Sequence, residues 1–274
     1  MRNPSTCACI NRYRLCGSGF EAIIQGARLI NSNESQCVLV GGTENMSQAP
    51  HVIRDARLGI PLGQAKLEDS LWDSLTDSFI NMPMGITAEN LAQKYQISQE
   101  EVDEYSFKSQ VFYQKALDLG IFNNEIAPIA CGSKKMPQIL AKDEHPRKDS
   151  TLEGFKRLPR VFKPDGVIHA GASSGISDGA CAMIICSKSF ADENKLSAMA
   201  ELISFGITGC DPSLMGIGPV LAIKSALAKS HLGLLDMSMI EVNEAFSPQV
   251  LAVKKELMLN DINIHGGALP SDIL

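Results

Sequence analysis

The residues best suited to covalent chemistry are Cys16 and the small residues that follow it, Gly-Ser-Gly up to Gly19. An apolar run from Glu21 to Ile30 comes next and predicts a buried helix. The N-terminal amides and positive dipole end of such a helix would stabilise a thiolate, and small neighbours would let a bulky acyl group approach it. A cysteine packed in the core is the alternative, and position alone favours it.

A second feature is a basic segment within an acidic chain. The 274 residues carry a net charge of −6 at pH 7, which argues against general nucleic-acid binding. Residues 131–165 contain nine Lys or Arg against five Asp or Glu, a local charge of about +4. A small polyanionic ligand and an ordinary solvated surface explain that patch equally well.

The eight cysteines suggest neither a disulfide framework nor a metal site. No Cys-x-x-Cys pair occurs, and Cys7 and Cys9 have no matching His or Cys pair downstream, so we predict no bound metal. Cys181 and Cys186 lie in an apolar, strand-like run and are predicted to be small core residues. Reduced thiols fit a cytosolic or matrix-like compartment.

The sequence shows no membrane or targeting segment. No uncharged apolar run approaches the roughly 18–20 residues needed to span a bilayer. Residues 1–10 contain no apolar core of a signal peptide, and the stretch before Cys16 is short for an organelle presequence. We therefore predict no membrane span, and the chain carries no visible address of its own.

Both ends of the chain show the alternating helices and strands of a layered α/β domain. A strand over 37–40 is predicted to run into a turn at Gly41-Gly42, and a strand over 182–186 follows a loop of small residues. Between these parts, residues 45–165 are polar and irregular apart from their helices. This stretch is predicted to be an insertion in the α/β domain.

Helix signals are clear within the insertion and after it. Thr87 is predicted to begin one helix, and Ser98 with Glu101 forms a capping-box pattern for another that stops at Gly120. The later predictions are a strand over 200–205, a helix over 218–230, a strand over 239–242 and a helix over 249–259 capped by Ser247 and Pro248. Asn243 would, on its own, be predicted to cap the end of a strand.

Three motifs follow one another along the chain: Cys16-Gly-Ser-Gly, Ala170-Gly-Ala-Ser-Ser-Gly175 and Asn243-Glu-Ala-Phe246. Together they resemble the thiolase family, in particular the mitochondrial type of 3-ketoacyl-CoA thiolases. Other segments similar to that family are 41–50, 67–72, 87–90 and 211–219, and the similarity extends from about residue 10 to 268. Motifs this numerous and in this order favour membership of the family over a chance match.

The resemblance implies an α/β fold of two similar halves in five αβαβα layers, with a loop domain inserted in the first half. We expect residues 1–44 to form part of the N-terminal half, 45–165 the inserted, CoA-binding loop domain, 166–190 the return to the N-terminal half, and 191–274 part of the C-terminal half. Thiolases carry further segments before the nucleophile and after the last match. The expected fold is therefore incomplete at both termini.

The resemblance also implies an acetyl-CoA C-acyltransferase that cleaves a 3-ketoacyl-CoA with CoA, or runs the reverse condensation, in fatty-acid β-oxidation. Cys16 would carry the acyl group as a thioester, and Asn243 would support an oxyanion site. Arg147, Ser150 and Ser174 match positions expected to bind CoA, and the basic segment suits its phosphates. CoA and acyl-CoA are expected as substrates, with no permanently bound cofactor.

By the same resemblance we expect a homodimer or homotetramer in the mitochondrion; the net charge of −6 argues separately against a nucleic-acid partner. The full-length family forms dimers or dimers of dimers. A ketoacyl synthase, another enzyme of this fold, is disfavoured by the Asn-Glu-Ala-Phe motif and by Thr87-Ala-Glu-Asn.

Departures from the family pattern define the alternative function. The family motif reads Asn-Arg-Leu-Cys. This chain reads Asn11-Arg-Tyr-Arg-Leu-Cys16, which is two residues longer. In thiolases, a Gly-His-Pro motif comes after Asn-x-x-Gly-Gly-Ala, and its His activates the nucleophile. A Cys-x-Gly motif further along supplies the Cys that acts as acid and base. Here Ala268 is followed by Leu-Pro-Ser-Asp-Ile-Leu, and His265 is not the matching His. The alternative is a catalytically inactive, truncated fragment that binds CoA or forms dimers.

Overall fold

The computed structural model describes residues 11–133 and 136–270. The sequence features at 1–10, the lysines at 134–135 and the last four residues lie outside this description. The described chain divides into two compact units, which are treated separately below. Unit 1 contains residues 11–44 and 179–203, and unit 2 contains residues 45–178 and 204–270.

Helices and strands alternate irregularly along the described residues. The helices are α1 Ser18–Asn31, α2 Ser70–Ser74, α3 Met84–Lys94, α4 Gln99–Asp118, α5 Leu152–Lys156, α6 Lys188–Glu193, α7 Gly218–Ser230 and α8 Ser247–Leu257. The strands are β1 Cys37–Asn45, β2 His51–Val52, β3 Glu68–Asp69, β4 Thr76–Asp77, β5 Met82–Pro83, β6 Ile129–Ser133, β7 Met136–Leu140 and β8 Asp178–Cys186. The strands pair as β1 with β8, β2 with β3, β4 with β5, and β6 with β7.

In unit 1, helix α1 packs closely on the sheet formed by β1 and β8. Gly26 makes this contact possible, because a Cβ atom there would lie 2.7 Å from Val40 Cγ1 and 3.4 Å from Ile185 Cδ1. Ile24 and Val40 are buried in the same contact. The predicted helix is therefore present, but only Glu21, Ile24 and Gly26 on it are buried, so the prediction of a buried helix was too strong.

Two predictions for this sheet were wrong. Strand β1 continues through Gly41 and Gly42 instead of turning there, and a Cβ atom on Gly41 would lie 2.3 Å from the carbonyl oxygen of Cys181. Glycine lets the neighbouring backbone approach this closely. Cys181 is exposed and Cys186 half-buried, so neither is a core residue. The reason is that most residues of β8 are exposed on this two-stranded sheet.

Unit 2 has its core where helices α3, α4 and α8 meet. Leu91, Val102 and Ala252, one from each helix, are at most 1% exposed. Helix α4 begins as predicted, because Ser98 Oγ accepts the Glu101 N–H and the Glu101 carboxylate accepts the Ser98 N–H at 2.7 Å. This helix ends just before Gly120, whose φ of 72° is the left-handed conformation predicted for the residue after a helix.

The two strands predicted at 200–205 and 239–242 do not form in the described chain. Ser204 Oγ donates to the Ala226 carbonyl at 2.7 Å, and Lys229 Nζ donates to the Phe205 carbonyl at 2.9 Å. The end of the first segment is thus bonded to residues of α7. In the second segment, the side-chain amide of Asn263 bonds both backbone polar groups of Val242. A side chain therefore takes the place of a neighbouring strand.

Helices α3 and α8 differ from prediction by two or three residues at their boundaries, whereas α7 agrees with it. Helix α7 spans Gly218–Ser230 with Pro219 in its first turn, as predicted. Helix α3 begins at Met84, three residues before the predicted start. Helix α8 spans Ser247–Leu257, and Ser247 does not cap it, because its buried hydroxyl lies 2.7 Å from Ser106 Oγ. Within the described residues, none of the helices is both long enough and apolar enough to cross a bilayer.

Candidate active site

Cys16 in unit 1 lies directly before the first turn of α1. Gly17 is the N-cap of that helix, and Cys16 is an exposed free cysteine. The first amides of a helix lack intrahelical partners and carry partial positive charge, which favours an anion beside them. The structure therefore presents the Cys16 thiol to solvent at the N-terminal end of α1.

A tight turn of the backbone leads into Cys16. Leu15 has a φ of 48°, a left-handed conformation uncommon for a leucine. The turn is closed by the Gly17 N–H, which donates to the Arg14 carbonyl at 3.0 Å, and by Ser18 Oγ, which donates to the Leu15 carbonyl at 2.7 Å. The Arg14 guanidinium pairs with the buried Glu21 at 3.3 Å. These contacts fix the loop that carries the cysteine onto the first turns of α1.

Asn243 in unit 2 is exposed, while both of its neighbours are buried. Val242 is 6% exposed and Glu244 is 0% exposed. The Val242 N–H donates to Asn263 Oδ1 at 2.7 Å, and its carbonyl accepts from Asn263 Nδ2 at 2.8 Å. Asn263 has a φ of 50°, which asparagine tolerates better than most residues. The backbone is thus anchored directly before Asn243.

Glu244 anchors the same segment directly after Asn243. Its Oε1 accepts from the Tyr105 hydroxyl at 2.6 Å and from Asn263 Nδ2 at 3.0 Å. Its Oε2 accepts from Ser109 Oγ at 2.8 Å and from the Leu269 N–H at 3.1 Å. Burial first, and then the Glu244 carboxylate, raises the pKa of Tyr105, so its phenol remains a donor. Sequence reasoning missed both Glu244 and Asn263.

Ser174 is exposed on a loop that pairs with the Asn243–Phe246 segment. Its backbone N–H donates to the Ala245 carbonyl at 3.0 Å, and Ser173 forms an isolated antiparallel bridge with Phe246. Two motifs that are about 70 residues apart in the sequence thus meet in unit 2. The structure therefore brings the region of Ser174 beside the region of Asn243.

The base of that loop rests on two buried acids. Glu89 accepts the backbone N–H groups of Val167 at 3.0 Å and Ile168 at 3.0 Å. Asp103 Oδ1 lies 2.9 Å from Nε2 of His169, which is fully buried. Burial lowers the pKa of His169, while the bond to Asp103 opposes that shift. The imidazole is therefore held neutral at the foot of the loop.

Arg147 and Ser150 lie together on the wall of a groove of about 420 Å³ in unit 2. The Arg147 N–H donates to Gln110 Oε1 at 3.1 Å, which ties the loop to α4. Ser150 Oγ donates to the Arg147 carbonyl at 2.7 Å, so that hydroxyl supports the turn. Lys115 and Lys148 line the same groove, together with the apolar side chains of Phe107, Val111 and Leu119. The groove thus combines three cations and the Asp118 carboxylate with apolar side chains.

Comparison with known protein families identifies the chain. The family model "Thiolase, N-terminal domain" matches residues 1–189, and the model "Thiolase, C-terminal domain" matches residues 196–270. These two models together cover most of the sequence, so the chain belongs to the thiolase family. The predicted family is therefore confirmed.

Individual relatives agree with this assignment. The chain is 49% identical over 269 residues to the mitochondrial 3-ketoacyl-CoA thiolase of Bos taurus, a match that covers 97% of this chain and 68% of that protein. The crystal structure of human mitochondrial 3-ketoacyl-CoA thiolase in complex with CoA matches with a TM-score of 0.90 and 49% identity, over 94% of this chain and 65% of that one.

A bacterial structure extends the likeness. The Bacillus anthracis acetyl-CoA acetyltransferase matches with a TM-score of 0.91 and 37% identity, over 93% of this chain and 66% of that one. The predicted thiolase-type α/β fold is confirmed, and the chain is a member of a family whose named relatives are acyltransferases.

Proposed function

We propose that this chain performs thiolase-type acyl transfer between CoA thioesters, with Cys16 as the acyl carrier. The observation that carries the proposal is the exposed Cys16 thiol at the N-terminus of α1, in a Cys-Gly-Ser-Gly motif of a thiolase-family chain. A helix N-terminus stabilises the thiolate form, which is the reactive nucleophile. The named relatives act on 3-ketoacyl-CoA or transfer acetyl groups of acetyl-CoA.

The reaction has two balanced steps. In the first, the Cys16 thiolate attacks the 3-keto carbonyl, the bond between C2 and C3 breaks, and C2 takes a proton from solvent to leave as acetyl-CoA; the incoming CoA thiol returns one proton to solvent when it ionises for the second step. The shortened acyl group then remains on Cys16 as a thioester. In the second, the thiolate of a new CoA attacks that thioester and releases acyl-CoA and the Cys16 thiolate. The covalent intermediate divides one difficult transfer into two easier ones.

Asn243 is proposed to support the oxyanion that develops in these steps. Its exposed amide lies on a segment anchored on either side through Val242 and Glu244. A fixed N–H donor costs little reorganisation when charge develops on a carbonyl oxygen. Ser174 is proposed to contact the extended arm of CoA, and its loop is held beside this segment by the bond to Ala245.

The groove between α4 and the 147–150 loop is proposed to bind the phosphate-bearing end of CoA. Arg147, Lys115 and Lys148 supply positive charge, and guanidinium groups bind phosphate through paired hydrogen bonds. The apolar floor, which includes Val111 and Leu119, suits the flat face of a nucleobase. This groove is lined by Arg147 and Ser150, two of the three residues for which the sequence predicts CoA binding.

A CoA-binding chain without turnover is the second candidate. The sequence after Ala268 favours it, because it reads Leu-Pro-Ser-Asp-Ile-Leu where thiolases carry Gly-His-Pro. Without the activating His, formation of the Cys16 thiolate would lack its general base. We further propose a mitochondrial location, since two relatives that are 49% identical to the chain are named mitochondrial, and we propose a homo-oligomer by resemblance to the family. Light scattering of the purified chain tests the oligomer.

Thiolysis of acetoacetyl-CoA by the purified 274-residue chain separates the two candidates. The matched variants are Cys16→Ala and Cys181→Ala, both at exposed cysteines of unit 1. If the chain transfers acyl groups, we expect turnover that depends on CoA. The Cys16→Ala variant should lose this turnover, and the Cys181→Ala variant should keep it. Turnover no faster than that of Cys16→Ala, with CoA binding retained in calorimetry, would favour the second candidate. Absence of both turnover and binding would reject both.

A further inference from the structure

Glu244 is a fully buried carboxylate to which the proposed reaction gives no chemical step. Four donors reach it, two on each oxygen: the hydroxyls of Tyr105 and Ser109, the Asn263 amide and the Leu269 N–H. All four donors are uncharged, and a carboxylate offers about four acceptor sites. Every acceptor site of this side chain is therefore satisfied by a defined partner. Such a network holds its members in one arrangement.

The location of this network connects it to the candidate site. Glu244 follows Asn243 directly, and the next residue, Ala245, accepts the Ser174 N–H at 3.0 Å. Because Val242 and Glu244 are buried and Asn243 is exposed, the segment alternates between inward and outward side chains. The inward bonds of Glu244 thus anchor the backbone between the exposed Asn243 and the Ala245 carbonyl.

We propose that Glu244 is a positioning residue, which aims the Asn243 amide and sets the register of the loop that carries Ser174. It acts through the backbone and touches neither substrate nor reacting atoms. The importance of Asn243 and Ser174 for acyl transfer rests on the proposed function, but the mechanical role of Glu244 does not. The carboxylate links α4, through Tyr105 and Ser109, to the backbone of the 243–246 segment.

Hydrogen–deuterium exchange at the Ser174 amide tests this role without any need for turnover. In Glu244→Gln, an NH2 group replaces one carboxylate oxygen and cannot accept from the Asn263 amide or the Leu269 N–H that faced it, so the network cannot remain fully satisfied. We expect the Ser174 amide to exchange about tenfold faster or more, while Leu91 in the core of α3 keeps its protection within about twofold. Tyr105→Phe, which removes a single donor, should give a smaller shift in the same direction.

Ser106→Ala is the matched control, because it removes another buried hydrogen bond, to Ser247, from the same face of α4. This variant should leave the Ser174 exchange rate unchanged. Unchanged Ser174 protection in folded Glu244→Gln, or an equal loss in Ser106→Ala, would overturn the proposal. If Glu244→Gln does not fold, Tyr105→Phe decides by the same criterion. A chain without thiolase turnover would contradict the proposed function and leave this measurement informative.

Discussion

The backbone N–H of Ser174 donates to the carbonyl of Ala245 at 3.0 Å and thereby joins two thiolase motifs within one unit. Neither motif is part of a regular strand or helix at that point apart from the isolated bridge of Ser173 with Phe246. The geometry of the candidate site therefore depends on buried side chains beneath these segments.

Asn263 is expected to be essential for the stability of unit 2. Replacement by Ala removes its bonds to both backbone groups of Val242 and to Glu244, which leaves buried polar groups unsatisfied. We expect a loss of about 2–4 kcal/mol in the free energy of unfolding, measured by urea denaturation. Asn260→Ala, at an exposed position, should stay within about 0.5 kcal/mol of the native chain. Equal effects of the two substitutions would contradict the structure.

Because of the buried His169, the folded chain is expected to become less stable in mild acid. Burial lowers its pKa in the folded chain, so the unfolded chain binds the proton more readily. Its stabilising contribution is complete above the unfolded pKa of about 6.5 and is lost as the pH falls from there towards the lower folded value. The groups that face it are Asp103, which favours the charged form, and Arg160, which opposes it.

Urea denaturation at about pH 7.5 and about pH 5.5 measures this dependence. His169→Gln should flatten the change between the two conditions, and His231→Gln, at an exposed histidine, should leave it as in the native chain. Equal stability of the native chain at both pH values would count against a neutral His169. A His231→Gln chain whose pH dependence is also flattened would count against it as well.

Gly41 is expected to tolerate no side chain. An added Cβ would meet the Cys181 carbonyl oxygen at 2.3 Å, so β1 and β8 would have to separate. Gly41→Ala should cost about 1–3 kcal/mol, the usual range for overpacking, in thermal or urea unfolding. Gly209→Ala is the control, since nothing lies within 4 Å of a Cβ there. A Gly41→Ala chain as stable as the control would show that the two strands are not this close.

Binding of CoA is expected to depend on the basic groove and on salt. Arg147→Ala and Lys115→Ala should each weaken the affinity several-fold, and less so at high ionic strength, because exposed charges are screened. Lys188→Ala removes an exposed cation on α6 in unit 1 and should have no effect. Isothermal titration with CoA at two salt concentrations measures these changes. If all three variants bind alike, the groove is not the CoA site.

Local signals predicted much of this fold, and long-range contacts account for the errors. The capping box at Ser98 and the proline in the first turn of α7 are decided by adjacent residues, and both predictions were confirmed. The strand predicted at 239–242 was wrong because Asn263, about 20 residues later, bonds its backbone. Nothing near Gly41 in the sequence indicates that the Cys181 carbonyl lies against it.

The residues of the candidate site likewise fall into those that local sequence motifs predict and those that only long-range contacts reveal. Cys16, Asn243 and Ser174 could be selected because they stand in short ordered motifs. Glu244 lies inside one of those motifs, yet its partners Tyr105 and Ser109 are more than 130 residues away in the chain. No periodicity or spacing relates such positions. Their contact becomes visible only in the folded chain.

The most direct test of the account is whether Cys16 becomes acylated. The chain is incubated with acetoacetyl-CoA, quenched in acid, digested and examined by mass spectrometry, beside Cys16→Ala. We expect one acetyl group on the peptide that contains Cys16, absent from the variant and absent from the exposed Cys181. No acetyl group on Cys16, or the same labelling of other cysteines in the Cys16→Ala chain, would contradict it.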